Sequence, residues 1–288
     1  MANHYAEHLL AVVGAGVMGT NIATLAVSHG VPVVLVDLSD DVLSLARRTV
    51  AQKLRHAQLM GALPPDRPQG ELVTSVSLAD AADATTVIEA VVEVPETKAK
   101  VLAEISALVR PDTTLISNTS CIPIDELAGW VTHPDRLVGV HFMNPSYLIK
   151  MVEVIRGAGT SEATLESVDS LLAALGRDGL VIRDSAGFVI NRLLHPLINT
   201  AAMLVQEGVA SADVVDGLLE GCLGHTTGPL RTADLIGLDN LVDSLNVLYE
   251  RRQDESCRPC ELLLSKVRAG DLGQKTGQGF YSYGRVVS

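Results

Sequence analysis

The fold is decided by residues 9–37: the apolar run Leu9-Leu10-Ala11-Val12-Val13, then Gly14-Ala15-Gly16-Val17-Met18-Gly19, a helix-length segment to His29, a second apolar run Val33-Val34-Leu35-Val36, and Asp37. A glycine triplet alone is weak evidence, and its setting decides the reading. Placed between a strand and a helix, Gly14 permits a tight turn, Gly16 lets the backbone approach a pyrophosphate, and Gly19 lets the helix pack on the strand. Val17 and Met18 open that helix, whose N-terminal N–H groups can face phosphate oxygens. Asp37 stands eighteen residues beyond Gly19 at the end of the second apolar run. A carboxylate there can accept from the adenosine ribose hydroxyls and repels a 2′-phosphate, so the expected cofactor is NAD rather than NADP. The competing reading is an ordinary strand–helix turn with Asp37 solvated in a loop.

Outward from this stretch, short β-rich runs alternate with amphipathic helical segments, the pattern of a parallel sheet. Strands are expected at 9–13, 31–36, 73–76, 86–91, 113–117, 137–140, 151–155 and 180–182. Helices are expected at 17–29, 40–59, 96–109, 124–130 and 161–175. The segment 61–70, with three prolines and two glycines, reads as a surface loop. After Asp184 the period becomes helical, beginning with a wide apolar face from Phe188 to Val205. Further helices are expected at 211–219, 231–235, 240–251 and 261–269. The expected fold is therefore α/β, with an N-terminal Rossmann-type, mostly parallel sheet domain over 1–184 and an all-α domain over 185–288. The first helix of the second domain is apolar enough to be central or to lie in a dimer interface.

Composition narrows the function. Of 288 residues 47% are hydrophobic but only 3% aromatic, so the core must be aliphatic, as suits buried parallel strands. The net charge of −12 argues against a nonspecific nucleic-acid binder. With 19% charged residues, disorder is excluded too. No Asp, Glu, Lys or Arg occurs from His8 to Val36, long enough to span a bilayer, but four glycines and Pro32 divide the stretch and no basic leader precedes it. A cytoplasmic protein without membrane contact is expected, its four cysteines reduced.

A dinucleotide cofactor calls for a group that takes the proton as hydride leaves. His141 follows the run 137–140, at the strand end where ligands of an open parallel sheet gather. Glu153 lies twelve residues on, between Val152 and Val154. A carboxylate alternating with valines is half buried and should have a partner. If the two segments lie side by side, Glu153 can accept from one imidazole nitrogen and leave the other as a base.

Several motifs now resemble one family in order along nearly the whole chain. Ser117-Asn118-Thr119-Ser120, His141-Phe142-Met143-Asn144-Pro145, Lys150-Met151-Val152-Glu153-Val154 and Gly187-Phe188-Val189-Ile190-Asn191-Arg192 are similar to those of the short-chain L-3-hydroxyacyl-CoA dehydrogenases. Gly228-Pro229, Gly237-Leu238-Asp239 and Lys275-Thr276-Gly277-Gln278-Gly279-Phe280-Tyr281 also fit. The resemblance implies that His141 is the general base, that Glu153 orients it, and that Ser120 and Asn191 hydrogen-bond the reacting oxygen or the thioester end. It carries over Glu93, Lys98 and Asn144 as contacts of the nicotinamide half of NAD. It further implies a homodimer through the helical domain and a hydroxyacyl thioester substrate.

The carrier of that thioester is left between CoA and an acyl carrier protein. Ser146-Tyr147-Leu148-Ile149 replaces the small, proline-rich residues of the family. The stretch from Gly224 to Asp234 resembles a branch acting on short polar hydroxyacyl groups, such as glyceryl, on carrier proteins in polyketide extender-unit synthesis. The alternative is a 3-hydroxybutyryl-CoA dehydrogenase of fatty acid metabolism. Arg47, Arg48, Lys53, Arg55, His56 and Arg67 form a basic run that could meet an anionic carrier, or could be a solvated helix face.

Other signals are set aside. His4-Tyr5-Ala6-Glu7-His8 matches a metalloprotease pattern but lacks an obvious third ligand, and no metal site is expected. Cys257-Arg258-Pro259-Cys260 lies outside any redox context, and Cys121 and His195 read as packing residues. A β-hydroxyacid dehydrogenase of the 6-phosphogluconate type resembles enzymes that use a lysine on the first helix of the second domain. No lysine occurs here from Met151 to Ser265, which removes that mechanism. A non-catalytic NAD-binding protein remains as the rival from another class.

Overall fold

The computed structural model describes residues 8–63 and 68–284; Met1 to Glu7, which include His4 and Glu7, and Arg67 lie outside them. The chain forms two compact units, one ending at Ser185 and the other beginning at Ala186.

The first unit is built on one eight-stranded sheet in the order β3-β2-β1-β4-β5-β6-β7-β8. Its strands are β1 (Leu10–Val13), β2 (Val33–Val36), β3 (Leu72–Ser75), β4 (Thr86–Glu89), β5 (Thr114–Ser117), β6 (Leu137–His141), β7 (Met151–Arg156) and β8 (Asp178–Arg183). All neighbours run parallel except β6 and β7, which are antiparallel. The five helices of this unit are α1 (Val17–Ser28), α2 (Asp40–Leu59), α3 (Pro95–Leu108), α4 (Ile124–Ala128) and α5 (Glu162–Ala174).

Helix α1 is buried continuously from Gly19 to Ser28, and β1 is buried at every residue. A helix without charges can be buried on all sides when its hydroxyls are satisfied, as those of Thr20, Thr24 and Ser28 are by the helix's own first-turn and interior carbonyls. That burial accounts for the charge-free stretch from His8 to Val36, and among the described residues no helix is long and apolar enough to cross a membrane. The core joins Leu10, Val12, Ile22, Leu25, Leu35, Leu43, Ile88, Ile116, Val138 and Val154. Each such side chain contributes about 1.5–3 kcal/mol on burial.

Several boundaries differ from the sequence expectation for local reasons. The second strand starts at Val33 rather than at residue 31 because Pro32 lacks the N–H a ladder needs. The fourth ends at Glu89 rather than at 91, since the Val91 N–H turns back to the Glu89 carboxylate at 2.9 Å. The last strand runs Asp178–Arg183, longer than 180–182, following β7 in parallel register.

The second unit is helical, with α6 (Ile190–Gln206), α7 (Ala212–Leu223), α8 (Pro229–Ile236), α9 (Leu238–Arg252) and α10 (Glu261–Ala269). The first begins at Ile190 rather than at 188 because Gly187 and Phe188 take left-handed φ values of 72° and 52°. Two buried aspartates tie the C-terminal segment to α8. Asp216 accepts from the N–H groups of Leu230 and Arg231 and from the Tyr281 hydroxyl at 2.8, 2.9 and 2.8 Å. Asp234 accepts from Phe280 N, Tyr281 N and the Tyr283 hydroxyl at 2.9, 2.9 and 3.0 Å. Burial, and then the Asp234 hydrogen bond, push the Tyr283 phenol up to about 12.

Close packing at the first turn makes a direct test. A Cβ on Gly19 would stand 1.7 Å from the Gly14 carbonyl oxygen. Gly19→Ala should lower unfolding free energy by about 1–3 kcal/mol, as overpacking does. Urea titration of the two proteins checks this, and an unchanged midpoint with an unchanged slope contradicts it.

Candidate active site

The strand order reverses between β1 and β4, which lie side by side with Val13 opposite Glu89. Open parallel sheets bind ligands in the crevice beyond the carboxyl ends of strands at such a point. The turn Gly14–Gly19 leaves β1 there. A Cβ on Gly14 would lie 2.6 Å from the Ala90 carbonyl oxygen, so only glycine allows these backbones to meet. A Cβ on Gly16 would meet nothing within 4 Å, and Gly16 and Val17 are exposed. Helix α1 has no side-chain cap and no acidic residue in its first turn. An open glycine before an uncapped helix N-terminus fits a pyrophosphate, and Asp37 completes the fit from β2. Its carboxylate accepts from Ala15 N at 2.7 Å and Leu38 N at 2.8 Å. Asp37 therefore shapes the glycine turn as well, a role its sequence position does not reveal. A carboxylate has about four acceptor sites, so capacity for ribose hydroxyls remains.

Beyond β4 lies an ionic cluster, buried at Glu89 and Lys98 and reaching the surface at Glu93. Lys98, 1% exposed in the first turns of α3, bonds Glu89 at 2.7 Å and Glu93 at 3.2 Å. Glu89 also accepts from Ser117 Oγ at 2.6 Å and Val91 N at 2.9 Å. Glu93 accepts from Thr119 Oγ1, Ser120 N and Cys121 N at 2.5, 2.8 and 3.0 Å. Burial alone would raise Glu93, but the Lys98 charge and these hydrogen bonds hold it below the usual carboxylate range. Burial alone would lower Lys98, but Glu89 and then Glu93 raise it above the usual lysine range. The turn presenting Ser120 is thus held by Glu93, which also fixes Lys98.

His141 ends β6, and the antiparallel register sets it opposite Glu153 of β7. Their side chains meet at 2.8 Å between Nδ1 and Oε2, both buried. With the Nδ1 proton donated to the carboxylate, Nε2 carries the lone pair. The following loop is tied at three points. Asn21 Nδ2 of α1 donates to Asn144 Oδ1 at 2.7 Å, the buried Arg177 donates Nε–H to Ser146 O at 3.1 Å, and the Tyr147 hydroxyl lies 3.3 Å from His56 Nδ1 of α2. Asn144–Pro145 is a cis peptide. Asn191 stands buried in the first turn of α6, in the second unit.

The basic run on α2 is divided by the fold. Arg47 bonds Thr74 and Ser44, and Lys53 turns inward to donate to Thr20 Oγ1 of α1 at 2.9 Å. Burial pushes Lys53 down to about 8. Arg48 and Arg55, seven residues apart, share an exposed face. Cys257 and Cys260 are buried free thiols in a turn held by Asn199, whose Oδ1 accepts from Cys260 N at 2.9 Å, and burial raises both thiols. Cys121 and His195 are buried as well. Among the described residues no group of three His, Cys, Asp or Glu could hold a metal ion.

Sequence reasoning passed over Glu89, Asn21 and Arg177, and quoted Ser117 and Thr119 without a role. Glu89 carried a signal like that of Glu153, a carboxylate within an apolar run. The others are short or distant polar residues whose partners only the fold supplies.

Comparison with known proteins follows the same two units. Residues 9–185 match "3-hydroxyacyl-CoA dehydrogenase, NAD binding domain" and 187–283 match "3-hydroxyacyl-CoA dehydrogenase, C-terminal domain". A 3-hydroxybutyryl-CoA dehydrogenase of Bradyrhizobium diazoefficiens is 39% identical over 275 residues, 94% of either chain. The structure of FadB2 of M. tuberculosis superposes with a TM-score of 0.91 at 35% identity, covering 96% of this chain and 99% of that one. That of (S)-3-hydroxybutyryl-CoA dehydrogenase from Ralstonia eutropha gives 0.87 at 36%, with coverage of 96% and 99%.

The cluster's charges set a pH window for stability. Glu93 lies below its ordinary 4.5, so its contribution is present above that value and lost as pH falls through the lower folded one. Lys98 lies above its ordinary 10.5, so its contribution is present below that value and lost as pH rises through the higher folded one. Lys98→Met should remove the alkaline edge and destabilise the fold at neutral pH by about 3–5 kcal/mol, since two carboxylates lose their counter-ion. Thermal melts from pH 4 to 11 read both effects.

Proposed function

This chain belongs to the 3-hydroxyacyl-CoA dehydrogenase family, whose first domain binds NAD, and on that premise we propose that it oxidises a short L-3-hydroxyacyl thioester reversibly at C3, with His141 as the general base. NAD is its cofactor, and the residues that would hold it are Gly14, Gly16, Val17, Met18, Gly19 and Asp37 on the adenosine and pyrophosphate side, with Glu93, Lys98 and Asn144 toward the nicotinamide. When bound, NAD supplies the hydride acceptor at nicotinamide C4.

The observation that carries the reading is the buried 2.8 Å contact between His141 and Glu153 at the carboxyl end of β6. His141 Nε2 takes the 3-hydroxyl proton, and Glu153 holds the ring in the required tautomer and stabilises the imidazolium that forms. Ser120, on the turn held by Glu93, and Asn191, at the start of α6, donate to the reacting oxygen or to the thioester carbonyl. A non-catalytic descendant would have no need of the paired His141 and Glu153.

The carrier is an anionic group met by the exposed Arg48 and Arg55 face of α2. The relatives' names favour CoA, while the 224–234 stretch favours an acyl carrier protein bearing a short polar group such as glyceryl. A cytoplasmic homodimer through the helical unit completes the reading.

Following NADH at 340 nm with one short 3-oxoacyl group on CoA and on a holo carrier protein separates the carriers. His141→Gln should cut kcat by about 10²–10⁴ with little change in NAD affinity. Near-normal turnover in that variant removes His141 from the chemistry. Charge reversal at Arg48 and Arg55 should raise KM for the thioester and leave NAD binding unchanged, and an unaltered KM returns that face to plain solvation.

A further inference from the structure

Glu89, Glu93 and Lys98 are held together by contacts of 2.7 and 3.2 Å, with Glu89 wholly buried and Lys98 1% exposed. Glu93 is held below and Lys98 above its ordinary range, which keeps these two charged. Glu89 accepts only donors: the Lys98 ammonium, Ser117 Oγ and Val91 N. A protonated Glu89 would have to place a hydroxyl hydrogen among these three, so the ionised form suits the site. Two carboxylates and one ammonium leave one net negative charge on a cluster buried at Glu89 and Lys98 and partly exposed at Glu93.

That charge lies against the cofactor turn. Val91 N, which donates to Glu89 Oε1 at 2.9 Å, is itself 2.9 Å from where a Cβ of Gly14 would stand. A dinucleotide bound across the β1–β4 crevice puts its adenosine toward β2, where Asp37 sits, and so its nicotinamide toward β4, β5 and the end of β6. The cluster occupies the ends of β4 and β5, on the nicotinamide side. The nicotinamide ring is cationic in NAD+ and neutral in NADH, so one buried negative charge attracts the first and is indifferent to the second.

We propose that the Glu89–Lys98–Glu93 cluster is an electrostatic device that sets the relative affinity for oxidised and reduced cofactor, favouring NAD+ through its net negative charge. This rests on the cofactor site described above and adds to it a role for Glu89, which need not touch the cofactor. Structural support for the Ser120 turn would weaken all ligands together when lost. A charge effect weakens NAD+ relative to the other two.

The test measures dissociation constants for NAD+, NADH and ADP-ribose by calorimetry and NADH fluorescence. ADP-ribose shares every part of the cofactor except the ring. Glu89→Gln, which keeps the shape and brings the cluster to neutrality, should weaken NAD+ relative to NADH by about fifteenfold, the size for unit charges about 10 Å apart at an effective dielectric constant of about 20. The pyrophosphate is common to all three ligands and feels the same loss of charge, so the ratio of NADH to ADP-ribose affinity should stay within about twofold. Glu93→Gln neutralises the cluster at its more exposed carboxylate, 35% exposed, and should shift the ratio in the same direction, carrying the test if Glu89→Gln does not fold. Ser117→Ala removes a hydrogen bond at constant charge and should leave the ratio alone. An unchanged NAD+ to NADH ratio in both glutamine variants, equal weakening of all three ligands, or an equal shift in Ser117→Ala overturns the proposal. Failure of the wild-type protein to bind any of the three is a separate result that overturns the cofactor site itself.

Discussion

A lysine ammonium almost wholly withdrawn from water, shared between two carboxylates, is the constraint on which the carboxyl end of the sheet depends. Isolated burial of such a charge is prohibitive, and the pairing is tolerable only because every group in it is hydrogen-bonded. Its geometry joins three elements. Glu89 closes β4, Lys98 lies in α3, and Ser117 closes β5, while Glu93 reaches the turn from Thr119 to Cys121. The backbone at Ala90 and Val91 is thereby pressed against Gly14, so the glycine turn and the turn presenting Ser120 share one support.

The second constraint is the single reversal of direction in the sheet. Were β7 parallel to β6, the residue facing His141 would come from elsewhere along the strand. The antiparallel register sets His141 against Glu153, and both side chains point to the same face. The loop between them is then fastened to α1 through Asn21, to α2 through His56 and to the start of β8 through the neighbouring Arg177. Burial lowers the Arg177 guanidinium, and its carbonyl partners at Ser146 and Gly176 compensate for lost hydration.

Much of this was legible beforehand. Glycines before a helix, an acid after the second strand, and alternating aliphatic runs each follow from local geometry, and helices α2 and α10 fall on the expected residues. His141 and Glu153 stood out because a histidine at a strand end and a carboxylate among valines both call for partners. What stayed hidden depended on distance in the chain. Lys53 looked like one cation of a basic face, yet it turns inward to Thr20, thirty-three residues away. Asp37 looked like a ribose ligand only, yet it also holds Ala15. Phe188 looked like the start of a helix, because nothing in an apolar residue announces a left-handed backbone.

The sequence by itself determined the kind of elements, the glycine turn and the pairing need of each buried polar residue, because those follow from side-chain periodicity, glycine's missing Cβ and the cost of an unsatisfied charge. The tertiary structure alone decided which partner met each need. Strand order and register bring together residues separated by 9 to 123 positions, and the energy of a buried ion or hydrogen bond depends on ångström distances that no spacing along the chain encodes.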